Sequence, residues 1–105
     1  MSLLVRNPDI VWRTEQRREQ EVIEALERGE EVAERGTVIL MFSGMMHQLN
    51  LVGGKIWALC DGSRDESAIV DLIAAEFEAS REELAGDVNE FIADLLQRGW
   101  LRHDG

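Results

Sequence analysis

The segment from Leu49 to Gly62, LNLVGGKIWALCDG, constrains the fold more than any other part of the sequence. The run up to Asn50 is apolar and has high β propensity, and the pair Gly53-Gly54 would let the backbone turn. Apolar residues then recur at helical spacing before Asp61-Gly62 ends the element. The segment therefore predicts a strand end, a short helix and a turn, in that order.

A β-hairpin is predicted directly before this helix. Thr37–Phe42 is a continuous run of β-branched and large apolar residues, and Ser43-Gly44 can form a tight turn into a second strand, Met45–Leu51. Alternation along the second strand places Leu49 and Leu51 on the face toward the core. The methionines around the turn suit either an irregular core or an adaptable binding surface; they are Met41, Met45 and Met46.

Three further helices are predicted, at Glu15–Arg28, Asp65–Glu78 and Arg81–Arg98. Ser63 with Glu66 and Ser80 with Glu83 match the capping box, which indicates where the last two helices begin. Gly99 is placed to end the last helix. The element order of strand, helix, Asp-Gly turn and two capped helices is that of a winged helix-turn-helix.

Length and composition limit the possible partners and compartment. A chain of 105 residues suits one domain, and 11 basic against 21 acidic residues give a net charge of −10, which opposes binding to nucleic acid or an anionic membrane. A single cysteine, the absence of a secretory signal and the lack of a run long enough to cross a bilayer predict a soluble protein of the reducing cytoplasm.

Catalytic and cofactor-binding patterns are missing from the sequence. His47 has no evident second site residue, and Cys60 falls on the apolar side of the predicted short helix, where thiols are usually structural. One cysteine and two distant histidines cannot form a four-ligand zinc site, and Gly53-Gly54 lacks the residues of a phosphate-binding loop. We therefore expect a protein that is not an enzyme and has no metal or organic cofactor of its own.

The pattern Leu49-Asn50, five residues, Ile56-Trp57, one residue, Leu59-Cys60-Asp61-Gly62 resembles the PqqD family, whose members bind the leader of ribosomally made precursor peptides and present it to a radical SAM maturase. The resemblance runs from about Thr37 to Leu101 and closes with the string LLQRGWL. Two features depart from the family: Val52-Gly53 stands where Thr-Ala is usual, and the stretch from Thr14 to Gly36 is longer than the usual hairpin connection.

The resemblance implies an α+β winged-helix-like domain, with a small antiparallel sheet on a three-helix bundle. It also implies that an extended leader adds to the strand Met45–Leu51 and lies against the helix Arg81–Arg98, with the apolar floor and acidic rim of the groove favouring a leader that carries Lys or Arg. The residues expected to bind the peptide are Met46, His47, Gln48, Leu49, Asp87, Glu90, Phe91, Asp94 and Leu95.

The predicted organisation is a single globular unit in two parts. Residues 1–36 would form a short edge strand at Asp9–Arg13 and the helical connector, and residues 37–105 would form the PqqD-like domain. The expected partners are a leader peptide and a radical SAM, SPASM-type maturase, with the protein itself a monomer or weak homodimer and with no nucleic acid or membrane bound. Two alternatives are a winged-helix DNA-binding regulator, which needs a basic recognition helix, and a structural docking subunit of a larger enzyme.

Overall fold

The computed structural model describes residues 2–32 and 35–104. In these residues the chain forms four helices and two three-stranded antiparallel sheets, which confirms the predicted α+β class. The strands are β1 (Leu3–Arg6), β2 (Val11–Thr14), β3 (Gly36–Phe42), β4 (Met45–Asn50), β5 (Asp61–Asp65) and β6 (Leu101–Asp104). The helices are α1 (Gln16–Glu27), α2 (Leu51–Leu59), α3 (Glu66–Glu76) and α4 (Arg81–Arg98). No helix within the described ranges is long and apolar enough to span a membrane.

The chain divides into two compact units. The hairpin unit is Pro8–Gly54, and the helical unit comprises the residues up to Asn7 together with those from Lys55 onward. These boundaries differ from the predicted division at residues 36 and 37, because β2 pairs with β3 inside one unit while β1 pairs with β5 and β6 inside the other.

The hairpin unit contains a sheet with the strand order β2-β3-β4, here called sheet B. Ser43 and Gly44 have φ values of 52° and 75°, so both central residues of the turn are left-handed, as a two-residue type I′ hairpin requires. The predicted hairpin is confirmed. The predicted N-terminal edge strand is also present, although it begins at Val11 rather than Asp9.

Helix α1 occupies the long stretch between β2 and β3 and matches the predicted connector helix closely. Its buried residues are Val22 and Ala25, whereas Leu26 is exposed. Gly29, with φ of +81°, follows the helix in the left-handed conformation that commonly ends one.

Helix α2 begins earlier than the sequence predicted. Gly53 and Gly54 lie inside the helix rather than forming a turn before it, because Asn50 caps the helix: its Oδ1 accepts a hydrogen bond from the Gly53 N–H at 2.8 Å. A Cβ on Gly54 would lie 2.6 Å from Cγ2 of Val38, so the glycine lets the helix approach β3 closely.

The helical unit contains a second sheet with the order β5-β1-β6, here called sheet A, which the sequence did not predict. Asp61–Asp65 forms β5 instead of only a helix-ending turn, so Ser63 lies in a strand and is not a helix cap. Asp65 caps α3 instead, since its Oδ1 accepts from the Ala68 N–H at 2.9 Å.

Helices α3 and α4 each contribute three buried apolar residues to the core of the helical unit. The bounds of α4 agree with the prediction, and Gly99, with φ of 78°, is its left-handed C-cap. Ser80 precedes α4 as predicted, but its side chain makes no capping hydrogen bond among the residues described. The buried residues of the two helices are Ile69, Val70 and Ile73 on α3 and Val88, Ile92 and Leu95 on α4.

Candidate functional site

Strand β4 carries the first four residues of the predicted peptide-binding set. Leu49 is buried, His47 is half-buried, and Met46 and Gln48 are exposed. Alternation of the side chains explains the pattern, because Leu49 and His47 share one face of sheet B while Gln48 and Met46 share the other.

Strand β4 is an edge strand of sheet B. Over the described part of the chain, β4 pairs with β3 alone. The two-residue turn makes Phe42 and Met45 a hydrogen-bonded pair, and pairs alternate along an antiparallel ladder. Met46 and Gln48 are therefore in non-hydrogen-bonded pairs with β3, so their backbone N–H and C=O groups point toward the outer edge.

The methionines of the hairpin lie at the surface. Met41, Met45 and Met46 are 46%, 60% and 59% exposed. They do not fill a core, which excludes one of the two roles that the sequence left open.

Helix α4 carries the other five predicted residues. Asp87, Glu90 and Asp94 are exposed, and Asp94 pairs with Arg98 one turn later, where the Arg98 Nε lies 3.1 Å from Oδ2. Phe91 is half-buried, and Leu95 is buried in the helical unit with 2% of its surface exposed. The exposed residues of this α4 group are thus acidic, and its apolar residues, Phe91 and Leu95, are half-buried and buried.

The predicted residues fall into two groups, one in each compact unit. Met46 to Leu49 are consecutive on β4 in the hairpin unit. Asp87 to Leu95 lie within about two turns of α4 in the helical unit. Each group is brought together by its own element.

Cys60 is unsuited to nucleophilic chemistry. Its side chain is buried, and its Sγ donates a hydrogen bond to the Ile56 carbonyl at 3.2 Å. Burial, the largest cause, raises the pKa of the thiol to about 12, although the nearby Arg6 acts in the opposite direction. The thiol is therefore protonated at neutral pH, whereas a nucleophilic cysteine needs a lowered pKa. The described residues also include no group of three or more His, Cys, Asp and Glu side chains able to hold a metal ion.

Comparison with known proteins gives the family. The family described as "Coenzyme PQQ synthesis protein D (PqqD)" matches residues 34–101, which is more than half of the chain. The chain belongs to the PqqD family. The resemblance seen in the sequence is thereby confirmed.

Several relatives of this PqqD-family chain are described as PqqA binding proteins. One from Methylococcus capsulatus (strain ATCC 33009 / NCIMB 11132 / Bath) is 38% identical over 72 residues, which cover 69% of this chain and 74% of the relative. One from Rhodopseudomonas palustris (strain TIE-1) is 43% identical over 47 residues, covering 45% of this chain. The match spans only 46% of that relative's length.

A solved structure supports the fold. The structure described as "TbiB1 in Complex with the TbiA(beta) Leader Peptide" matches with a TM-score of 0.65 and covers 93% of this chain and 94% of that chain. The sequences are 21% identical, so this likeness concerns the fold. It extends beyond the residues matched by the PqqD family, because it covers nearly the whole chain.

Proposed function

We propose that this protein is a non-catalytic chaperone that binds the leader of a ribosomally made precursor peptide and presents it to a radical SAM maturase. Membership of the PqqD family supports the proposal, as do relatives described as binding PqqA and a structural neighbour described in complex with a leader peptide. The maturase is inferred as a partner from the family resemblance alone.

The free edge of β4 is the observation that carries the proposal. Met46 and Gln48 direct backbone donors and acceptors outward, and an extended peptide can satisfy both sets of groups by adding a strand. Backbone pairing of this kind supplies affinity without regard to sequence, and side chains on alternate faces of the added strand supply specificity.

The acidic residues of α4 favour a leader that carries Lys or Arg. The helix exposes three carboxylates, Asp87, Glu90 and Asp94. The whole chain has a net charge of −10. Opposite charges speed association and select partners, whereas a DNA reader needs cations at the surface of its recognition helix. The same acidic surface therefore argues against a winged-helix regulator of transcription.

The first test uses the leader encoded by a short open reading frame beside the gene for this chain, if a radical SAM gene lies there too. The synthetic leader should shift the amide resonances of β4 and α4 when it is titrated into the labelled protein, and α3 should be unaffected. A scrambled leader is the control. Shifts confined to α1, or no binding, would contradict the proposed site.

A proline on the edge tests backbone pairing directly. Gln48→Pro removes an N–H that points outward from β4 but keeps the hydrogen bonds between β3 and β4. It should weaken leader binding about tenfold, which corresponds to the free energy of about one hydrogen bond. Gln48→Thr is the matched control, because it loses the same side chain and keeps the N–H. Equal affinities of the two variants would exclude strand addition at this edge.

A further inference from the structure

An exposed row of apolar side chains crosses sheet B near the hairpin turn. Val11 on β2 is the cross-strand partner of Met41 on β3, and Met41 is the partner of Met46 on β4. Val11 is 71% exposed, and both methionines are also exposed. We call these three residues the apolar row.

The three side chains share one face of the sheet, because directly opposed residues in antiparallel strands point the same way. Gln48, two residues beyond Met46, also points to this face. Gln48 lines a cleft with Arg18, Glu21 and Val22 of α1, so this is the face on which α1 lies. Helix α1 thus borders this face while the apolar row stays open to solvent.

The row ends at the free edge of β4. Met46 is its last member, and the backbone N–H and C=O groups of Met46, like those of Gln48, point outward along that edge. A strand added to β4 would place the residue opposite Met46 on the same face of the sheet, whether the added strand ran parallel or antiparallel. Its side chain would become the fourth member of the row.

We propose that the apolar row is a specificity site, and that the peptide bound on β4 carries one large apolar side chain, such as Leu, Ile, Met or Phe, opposite Met46. This inference rests on the proposed function and identifies which peptides the edge selects. The adjacent peptide residues point to the opposite face of the sheet. The next peptide residue on this face lies opposite Gln48, which is polar, so the apolar requirement falls on a single position.

An extended peptide is the occupant that the geometry favours. The row by itself could contact any apolar surface, but the outward N–H and C=O groups of Met46 and Gln48 are satisfied by another extended backbone. A second copy of this chain could also supply such a strand through its own β4 edge. Sedimentation of the free protein distinguishes the two occupants, and a dimer abolished by Gln48→Pro would overturn the inference.

The test begins with a display library of random 12-residue peptides selected on the whole protein. The selected peptides should share one large apolar position, and in the labelled complex that residue should lie opposite Met46, with shifts at the amides of Met46 and Gln48. Replacing the apolar residue by Asn in one selected peptide should weaken binding by about fivefold, a typical effect of losing cross-strand and buried apolar contact.

Met46→Thr and Met45→Thr form a matched pair of variants. The two methionines are adjacent and nearly equally exposed but point to opposite faces of the sheet. The change of the apolar peptide residue to Asn should lose most of its effect on binding to Met46→Thr and keep its fivefold effect on binding to Met45→Thr. Thermal unfolding of each variant checks that it folds. If one variant fails to fold, the peptide change measured on the unaltered protein still tests the preference for an apolar residue.

The outcomes separate this inference from the function on which it rests. If selected peptides shift the β4 amides but show no apolar preference, or if the effect of the Asn change is the same on both variants, the inference fails and the proposed strand addition stands. If no selected peptide shifts β4, both fail.

Discussion

At the scale of single residues, Gly54 shows how close packing can override local preference. Glycine is a poor helix former, and the sequence alone indicated a turn at Gly53-Gly54. The structure places both residues inside α2, where Gly54 faces Val38 at a distance that leaves no room for a Cβ. Close approach of helix and strand is invisible in the sequence, so the sequence supported the wrong explanation of this glycine pair.

Gly54→Ala should therefore destabilise the protein. The added Cβ would lie 2.6 Å from Val38 Cγ2, and overpacking of this kind costs about 1–3 kcal/mol, more than the gain in helix propensity. Gly86→Ala is the control, since Gly86 lies in α4 with nothing within 4 Å of its Cβ position, and it should stabilise by about 0.5–1 kcal/mol. Urea unfolding measures both free energies. A stabilised Gly54→Ala would show that the helix can move away from β3.

Cys60 gives the stability of the protein a dependence on alkaline pH. Its pKa is raised from 9.0 to about 12 in the folded chain, chiefly by burial. Above pH 9 the unfolded chain releases the thiol proton and the folded chain keeps it, so stability should fall as pH rises from 9 toward 12. The chain has no tyrosine to add its own titration in this range.

Unfolding by urea at pH 8, 9 and 10 should show this loss in the unaltered protein. Cys60→Ala, though less stable at pH 8, should lose less of its free energy of unfolding between pH 8 and 10. Parallel pH profiles for the two proteins would assign the alkaline loss to other groups.

At the scale of elements, the helix boundaries were predictable to different degrees. Ser80 before α4 and Gly99 after it predicted both ends of this helix, because these signals are local. Ser63 was assigned to the cap of α3 by spacing alone, but it lies in β5, where its hydroxyl donates to Asp61 Oδ1. Asp65 takes the capping role because it is the residue directly before the first helical turn.

Asp65→Ala should destabilise the protein by about 1 kcal/mol, the usual effect of removing a capping oxygen. Ser80→Ala is the control at the corresponding position before α4, where the hydroxyl makes no capping hydrogen bond within the described chain, so it should cost much less. Chemical unfolding of the two variants makes the comparison. Equal losses of unfolding free energy would mean that the hydrogen bond from the Ala68 N–H to Asp65 does not stabilise the protein.

The strands of sheet A could not be read from the sequence, for a different reason. Strand β5 has the sequence DGSRD, without apolar alternation, and β1 and β6 have only four residues each. Their pairing joins the two ends of the chain, since Leu3 is opposite Asp104. A pattern that depends on a partner about a hundred residues away leaves no local signal, whereas the hairpin of β3 and β4 is encoded by its own turn.

At the scale of the whole molecule, the sequence identified the elements of the proposed site more readily than their arrangement. The family pattern pointed to β4 and α4, and the alternation on β4 predicted that Leu49 faces inward. The apolar row was not predicted, because it needs the register of three strands, including β2 across the α1 insertion. The cluster of methionines around the hairpin turn was the sequence signal that could have suggested it.

Because the net charge is −10, we expect binding of a leader that carries Lys or Arg to depend on salt. Reversing Asp87, Glu90 and Asp94 to Lys should leave the fold intact, because all three side chains are exposed, and should weaken binding of a leader that carries Lys or Arg. Calorimetric titration at 50 and 300 mM salt should show a smaller salt dependence for the triple variant, since added salt screens an attraction that the variant has lost.

A leader of the same sequence with its Lys and Arg residues replaced by Gln separates charge from backbone pairing. It should bind the unaltered protein and the triple variant alike, because strand addition on β4 does not involve these carboxylates. An unchanged affinity of the triple variant for the basic leader would mean that α4 takes no part in recognition and that the β4 edge acts alone. A loss of affinity for both leaders would instead indicate that the reversals disturb the fold, which the thermal unfolding midpoint of the variant would reveal.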